Sequence, residues 1–237
     1  MNITGKNILV TGANRGIGKV LVEEFAKHDV AKIYAAARSL ESLPDFADER
    51  IYPLRLDVTR TSDLLIALRN APDVDILVNN AGVLGLAPVI GGPMEKLEFE
   101  MNVNYFGALN VTRAFAPLLE ERRGSIVNII TIIALASMAG FGGYAASKAA
   151  LFSATQAMRA ELREKGVSVF GVFPGGVDTD MTAGLEMPKT LPQEVAQEIV
   201  QGILDDQEDI FPDPMSKQMA AIWMNNPKAL EKQFAAM

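Results

Sequence analysis

Tyr144 and Lys148 stand four residues apart in GGYAASKAAL (142–151), a stretch of small side chains that predicts a helix. Residues with this spacing lie on the same helical face. The pKa of a tyrosine phenol is about 10, which makes it a poor proton donor or acceptor at neutral pH unless its surroundings change it. Because a neighbouring ammonium favours the phenolate, Lys148 is expected to lower the pKa of Tyr144. The pair is either acid–base machinery or a Tyr–Lys contact on an exposed surface.

A second group with chemical potential is the glycine-rich turn in ILVTGANRGIGKVLVEEF (8–25), which lies between a predicted strand and a predicted helix. Gly12, Gly16 and Gly18 allow the chain to turn tightly and a pyrophosphate to approach bare backbone. Their spacing differs from the general G-x-G-x-x-G dinucleotide pattern. A tight loop without a ligand is the alternative.

The second predicted strand ends in AAARSLE (35–41), and no Asp or Glu stands between Ile33 and Leu40. A dinucleotide site that prefers NAD carries an acidic residue here, which binds the ribose 2′-hydroxyl. Arg38 occupies this region instead, and an arginine can pair with a 2′-phosphate that Arg15 can also reach. The sequence therefore favours NADP(H) over NAD(H), with two solvated surface arginines as the alternative.

The elements that must position these residues follow a regular alternation. Near-continuous apolar runs predict strands buried on both faces at 7–11, 32–37, 51–56, 75–79, 125–130 and 167–173. Helical patterns lie at 17–28, 61–70, 96–120, 144–165 and 192–204. This alternation predicts an α/β fold, a doubly wound parallel sheet in three α/β/α layers. A single domain over 1–237 is expected, with a mobile substrate loop near 182–194 and a short helix within 211–237.

Composition narrows the function classes. The net charge of −7 and the lack of a basic stripe argue against nucleic-acid binding. No apolar run approaches the roughly 20 residues that span a membrane. With no cysteine and one histidine, His28, disulfides are excluded and a transition-metal site is not expected. These features indicate a cytoplasmic protein.

Four motifs occur in a fixed order: TGANRGIG (11–18), NNAG (79–82), YAASK (144–148) and PGGVDT (174–179). In this order and spacing the chain resembles the short-chain dehydrogenase/reductase family, in its short single-domain branch, from Gly5 to about Met215. The resemblance implies a Rossmann-type fold and hydride transfer between a nicotinamide cofactor and a carbonyl or alcohol group.

The resemblance also implies catalytic roles. Tyr144 would exchange a proton with the carbonyl or alcohol oxygen, and Lys148 would tune it and bind the nicotinamide ribose. Thr131 stands where the family has a serine that holds the substrate oxygen; it keeps the hydroxyl but adds a methyl group. Asn104, in NVNYFG (102–107), matches an asparagine that holds a water linking the lysine to solvent. Alternatively, Asn104 marks a kink in the helix, and the two roles are compatible.

The cofactor contacts follow from the same motifs. The loop after the fourth strand is expected beside the adenosine ribose, and the loop after the sixth around the nicotinamide. Asp57 is expected to accept from the adenine amino group, or else to cap the helix that begins near Thr61. The expected cofactor-binding residues are Gly12, Asn14, Arg15, Gly16, Ile17, Gly18, Arg38, Asp57, Val58, Asn80, Ala81, Gly82, Tyr144, Lys148, Pro174, Gly175, Val177 and Thr179.

A mainly apolar pocket wall is expected from 84–86, 135–141, Met181, Leu185 and Met187, which favours a small, neutral ketone, aldehyde or secondary alcohol as substrate. The family commonly assembles through the helix at 144–165, so a homodimer or homotetramer is expected. Two other functions stay open. One is a weakly active or inactive NADP(H)-binding regulator or scaffold. The other is a 3-oxoacyl-carrier reductase, whose basic docking patch could include only the adjacent pair Arg122 and Arg123.

Overall fold

The computed structural model describes residues 1–236, within which seven parallel strands form one sheet in the order β3-β2-β1-β4-β5-β6-β7. Each strand but the last is a run of four to six residues, with side chains that are mostly apolar. The strands are β1 (Asn7–Thr11), β2 (Lys32–Ala37), β3 (Ile51–Arg55), β4 (Ile76–Asn79), β5 (Ser125–Ile129), β6 (Ser168–Val172) and β7 (Asp209–Ile210).

Helices cover both faces of the sheet. They are α1 (Gly16–Ala26), α2 (Thr61–Asn70), α3 (Met94–Met101), α4 (Ala108–Arg122), α5 (Gly142–Leu162), α6 (Pro192–Leu204), α7 (Pro214–Asn225) and α8 (Pro227–Ala235). Side chains of α1 and α6 pack with Ile8 and Val10 on one face. Those of α2, α4 and α5 pack with Leu9 on the other, because alternate strand residues point in opposite directions. This three-layer arrangement confirms the predicted fold class.

The predicted strands agree with the structure to within one residue at each end, but β7 was not predicted. With only two residues, β7 carries too little pattern to be distinguished from a loop; it is identified by its parallel pairing with β6. The prediction of one short helix within 211–237 is wrong in number, since α7 and α8 both lie there. Each begins with a proline at its first position, which suits a helix start.

The single helix predicted over 96–120 is interrupted. Between α3 and α4 the chain makes a π-helical turn, Asn102–Gly107, so the ladder of α-helical hydrogen bonds is broken at Asn104. Such turns insert one extra residue and often mark functional sites. Asn104 thus lies in a π-helical turn within the segment that was expected to be one helix.

The strand order places a crevice beside the glycine turn. Strand β1 pairs with β2 on one side and with β4 on the other. Strands β2 and β3 are therefore added on one side of β1, and strands β4 to β7 on the other, so the strand order reverses at β1. In open parallel sheets, ligands bind outside the carboxyl ends of the strands where the order reverses. The loops that follow β1, β2, β4 and β5 all open on this crevice. No helix of residues 1–236 is long and apolar enough to span a membrane.

Candidate active site

A cavity of about 590 Å³ lies along the carboxyl ends of the strands. It is lined by the loops after β1 to β6 and by the first two turns of α5. All of the residues expected from the sequence to bind the cofactor lie on its wall, and so does Thr131. Of the expected site residues, Asn104 alone is not on the wall. Topology thus brings together residues that are up to 167 positions apart (Gly12 to Thr179).

The glycine turn is a cradle of bare backbone. Gly12 has φ 67°, which suits glycine, and a Cβ on it would lie 2.9 Å from Ala81 Cα. A Cβ on Gly18 would overlap the carbonyl oxygen of Gly12. Helix α1 begins at Gly16, so its first N–H groups and the positive end of its dipole face the cavity. The turn therefore has the space and the polarity to hold a pyrophosphate.

Thr11, which the sequence analysis missed, fixes this turn to the neighbouring loop. Its buried hydroxyl donates to the carbonyl of Val78 and accepts the N–H groups of Asn80 and Ala81, at 3.0–3.1 Å. The Asn80 side chain in turn donates to the carbonyls of Thr11 and Gly12. The sequence did contain a signal for this role, because Thr11 ends a predicted strand directly before the glycine turn.

Two arginines lie on the cavity wall. Arg38 follows β2 and is exposed, with Ser39 and Ser42 beside it on the cavity wall. Arg15, also exposed, has a nitrogen 3.7 Å from a carboxylate oxygen of Asp180 across the opening. The result is an exposed, basic and hydroxyl-rich corner that suits a phosphate.

Asp57 borders the same corner. Its Oδ1 accepts the N–H and the hydroxyl of Thr59, at 3.0 and 2.7 Å. Partial burial alone would raise the pKa of this carboxyl, but the Thr59 hydrogen bonds and the charges of Arg38 and Arg60 lower it overall. Asp57 is thus ionised at neutral pH and does not cap α2, whose N-cap is Arg60.

Tyr144 and Lys148 lie on one face of α5, as their spacing predicts. The Lys148 Nζ donates to the carbonyl oxygen of Ile129 at 2.7 Å and lies 5.8 Å from the centre of the Tyr144 ring. Lys148 is 3% exposed, and burial lowers its pKa to about 8. A conjugate acid with this pKa still carries its positive charge at pH 7.

The expectation that Lys148 lowers the pKa of Tyr144 is wrong for the protein by itself. Burial of the phenol, and after it the negative charge of Glu100, raise the pKa of Tyr144 above its ordinary value. Desolvation, the larger of the two causes, disfavours the charged phenolate. The phenol is therefore fully protonated at neutral pH.

Thr131 follows β5 at the floor of the cavity and is 8% exposed. Its hydroxyl donates to the carbonyl of Pro174 at 3.2 Å and accepts the N–H of Ile133 at 3.4 Å. Both bonds are long for a hydroxyl group. The hydroxyl is held in place on the cavity wall without being committed to a short, strong partner.

Asn104 is buried in the π-helical turn beside the cavity. Its amide group accepts the N–H of Val83 at 2.8 Å and donates to the carbonyl of Val83 at 3.0 Å and to Ser147 Oγ at 2.9 Å. Three of the four hydrogen bonds that this side chain can make thus join the loop after β4 to α5. The point where a Cβ on Gly82 would stand is 3.1 Å from Asn104 Oδ1 and 3.6 Å from Lys148 Nζ.

The loop after β6 is anchored from the C-terminal helices. Asp213, 1% exposed, caps α7 through Oδ1 and accepts the N–H of Gly175 through Oδ2 at 2.8 Å. This residue was also missed. The DPMS sequence (213–216) of a capped helix start was its signal, but the contact with Gly175 depends on the tertiary structure.

The expected apolar wall is present only in part. Met181 lines the cavity, whereas residues 84–86, residues 135–141, Leu185 and Met187 are not among its lining residues. The apolar wall consists instead of Val83, Phe99, Val103, Ile129, Ile130 and Met181. Phe99 is 49% exposed at the opening. The apolar character of the wall is kept, although other residues provide most of it.

Comparisons with known proteins agree with this geometry. The family model described as short chain dehydrogenase matches residues 6–189. The short chain dehydrogenase tazN of Aspergillus terreus is 36% identical over 78% of this chain, which spans only 44% of that protein. The 3-oxoacyl-acyl-carrier-protein reductase FabG of Vibrio cholerae is 33% identical over 78% of this chain and 79% of its own length. A crystal structure of a short chain dehydrogenase from Burkholderia cenocepacia in complex with NADP is 33% identical, with a TM-score of 0.94 over 99% of both chains.

Proposed function

The chain belongs to the short-chain dehydrogenase family of oxidoreductases, and on this premise we propose that it is an NADP(H)-dependent enzyme that interconverts an apolar ketone or aldehyde and its alcohol. One observation carries the proposal. Tyr144, Lys148 and Thr131 line the same cavity as the glycine turn and the Arg38 corner. A proton donor, a hydroxyl that can hold an oxygen and a dinucleotide cradle thus share one space.

The residues present fit a nicotinamide dinucleotide. Gly12 and Gly18 leave space that a Cβ would fill, and the start of α1 suits a pyrophosphate. The corner of Arg38 and Arg15 suits the 2′-phosphate that distinguishes NADP from NAD. The loop from Pro174 to Thr179, which also lines the cavity, would hold the nicotinamide. When bound, the cofactor supplies the hydride.

The residues of the chain then provide the proton and the positioning. The Tyr144 hydroxyl donates a proton to the carbonyl oxygen, while the Thr131 hydroxyl holds that oxygen by a hydrogen bond. Lys148 Nζ, with two N–H groups beyond the one used on Ile129, holds a ribose hydroxyl. Because the phenol of Tyr144 is protonated at neutral pH, it is in the form that donates a proton to a carbonyl oxygen.

A carbonyl panel tests the proposal. NADPH oxidation is followed with apolar ketones and aldehydes, and NADPH binding is titrated separately with the same preparation. Turnover of at least one apolar carbonyl supports the enzyme. Tight NADPH binding without turnover across the panel favours a cofactor-binding regulator instead.

A 3-oxoacyl-carrier reductase is the second candidate, favoured by the 33% identity to FabG of Vibrio cholerae. The geometry weighs against a docking patch at Arg122 and Arg123, because Arg122 Nε is 3.0 Å from Asp75 and is used inside the protein. A 3-oxoacyl thioester in the same panel distinguishes the two. Preference for the carrier-bound form over the free thioester would support the second candidate.

We also propose that the protein is a homodimer or homotetramer. The small side chains of α5 support this because they allow close helix approach. Phe106, 48% exposed beside α4, supports it as an apolar side chain that a second chain would cover. Light scattering at micromolar concentration tests it. A mass of one chain would contradict it.

A further inference from the structure

Glu100 is a buried carboxyl group beside the reacting residues that the proposed mechanism does not use. It lies at the end of α3, which packs against α5, and it is 0% exposed. Charged side chains are almost never fully buried unless they are paired. No cation is paired with it among residues 1–236, and its Oε2 has no hydrogen-bond partner. A group this costly to bury needs a reason.

Its other oxygen, Oε1, accepts the N–H of Gly85 at 2.6 Å. Two other side chains on the same helical face, those of Lys96 and Asn104, also bond the backbone of this loop. Lys96, one turn before, donates to the carbonyl of Gly85 at 3.3 Å, and Asn104, one turn after, bonds both backbone groups of Val83. Side chains at positions 96, 100 and 104 thus hold both backbone polar groups of residues 83 and 85. Segment 83–85 is fixed along one edge as a strand would be by its neighbour.

The same carboxyl group faces the first turn of α5. A Cβ on Gly143 would overlap Glu100 Oε2, and a Cβ on Gly142 would overlap Val89 Cγ2. The two glycines before Tyr144 therefore allow α5 to pack closely against Glu100 and the loop after β4, because any larger residue would clash there. The positive end of the α5 dipole is where a lone carboxylate is best tolerated.

We propose that Glu100 is a positioning residue for the reaction at Tyr144: it fixes segment 83–85 to the first turn of α5 and so sets the wall of the substrate cavity next to the phenol. The reaction in this statement rests on the proposed function. Val83, at one end of the segment, and Phe99, next to Glu100, both line the cavity. If the segment were released, Val83 would move, whereas Asn80 and Ala81 would stay held by their hydrogen bonds to Thr11.

The electrostatic surroundings agree with this position. Burial raises the pKa of Glu100, whereas the Gly85 N–H and the Lys96 charge lower it. The charge of Glu100 in turn raises the pKa of Tyr144. The carboxyl group and the phenol thus interact directly across the contact between α3 and α5.

Three variants separate positioning from simple structural support. Glu100→Leu has a similar size but cannot accept from Gly85. Glu100→Gln keeps an oxygen for Gly85. Glu98→Leu is the matched control, since Glu98 is an exposed residue of the same helix. Gly85→Ala is used if Glu100→Leu fails to fold, because its Cβ would lie 3.2 Å from the Glu100 carboxyl group, so that the two groups must move apart by a few tenths of an ångström.

Hydrogen exchange is measured first because it does not depend on turnover. In Glu100→Leu, or in Gly85→Ala, the peptide that contains Gly85 is expected to exchange at least about tenfold faster, with Glu100→Gln and Glu98→Leu close to wild type. Unchanged exchange in Glu100→Leu would overturn the proposal. This result would stand whether or not a substrate is known.

Kinetics with the best carbonyl of the panel is measured second. Glu100→Leu is expected to raise KM for the carbonyl roughly tenfold with NADPH affinity kept within about twofold, and Glu100→Gln to restore KM. A loss of kcat alone, in proportion to the unfolded fraction, would show a purely structural role and overturn the proposal. If the wild-type protein turns over no carbonyl, the proposed function fails and the exchange result still decides whether Glu100 holds the segment.

Discussion

Lys148 and Tyr144 are coupled through space rather than through a hydrogen bond: the lysine Nζ lies 5.8 Å from the centre of the tyrosine ring, one helical turn along α5. The ammonium is instead bonded to Ile129, on the strand that forms the cavity floor. This arrangement holds the charge near the phenol while two of its N–H groups stay free for a ligand. It also makes Lys148 a buried cation whose pKa is far from its ordinary value, with consequences for stability.

The pH dependence of stability tests that burial. The pKa of Lys148 is lowered from 10.5 to about 8 by burial, so between pH 8 and 10.5 the unfolded chain holds a proton that the folded protein has lost. In this window Lys148 therefore makes the free energy of unfolding rise with pH, by up to roughly 1.4 kcal/mol per pH unit. In Lys148→Met this contribution is absent.

Urea unfolding at pH 7, 8, 9 and 10 measures the difference between wild type and variant. Above pH 8, the free energy of unfolding of wild type is expected to rise relative to that of Lys148→Met. Lys232→Met, at an exposed position of α8, serves as the control and should follow wild type throughout. Parallel curves for wild type and Lys148→Met would show that the lysine is not a buried cation.

Cofactor preference tests the Arg38 corner. In Arg38→Asp, the 2′-phosphate of NADPH loses a charged partner and meets a negative charge, while a ribose 2′-hydroxyl gains an acceptor. The affinity for NADPH is expected to fall by roughly tenfold to 100-fold, and the affinity for NADH is expected to rise. Both dissociation constants are measured by fluorescence titration. Arg163→Asp, an exposed arginine after α5, controls for net charge; an unchanged NADPH-to-NADH ratio in Arg38→Asp would refute the assignment of the corner.

The Thr131 hydroxyl is tested by two substitutions of different kind. Thr131→Ser keeps the hydroxyl and is expected to keep kcat/KM within about threefold of wild type. Thr131→Val keeps the shape of the side chain but removes the hydroxyl, so kcat/KM should fall roughly 100-fold with NADPH affinity unchanged. Equal rates for the two variants would exclude Thr131 from holding the substrate oxygen.

Much of the fold could be predicted because the strands are buried on both faces. Their apolar runs are continuous, and their alternation with helical patterns determines the sheet type. Strand β7 and the division of the segment 96–120 could not be found in this way. A two-residue strand has no period, and a π-helical turn adds one residue without changing the composition of a helix.

Within the site, residues with a recognisable motif were predicted and residues that act through tertiary contacts were not. Tyr144, Lys148 and the glycine turn belong to the first kind. Glu100 belongs to the second, because MEKLEFEM (94–101) resembles an exposed, charged helix. One signal was available. Leu97, Glu100 and Asn104 are spaced so that they lie on one helical face, which indicates that Glu100 shares the face of an apolar residue and of a candidate site residue. The raised pKa of Tyr144 depends on burial, which a motif does not reveal.

Replacement of Tyr144 by phenylalanine tests the central claim most directly, since it removes one oxygen atom and keeps the ring. NADPH-dependent reduction of the best carbonyl from the panel is measured together with NADPH binding, for wild type and Tyr144→Phe. If Tyr144 is the proton donor, kcat falls at least about 100-fold while the dissociation constant of NADPH stays within about twofold. Reduction by Tyr144→Phe at a rate within a few-fold of wild type would contradict the account.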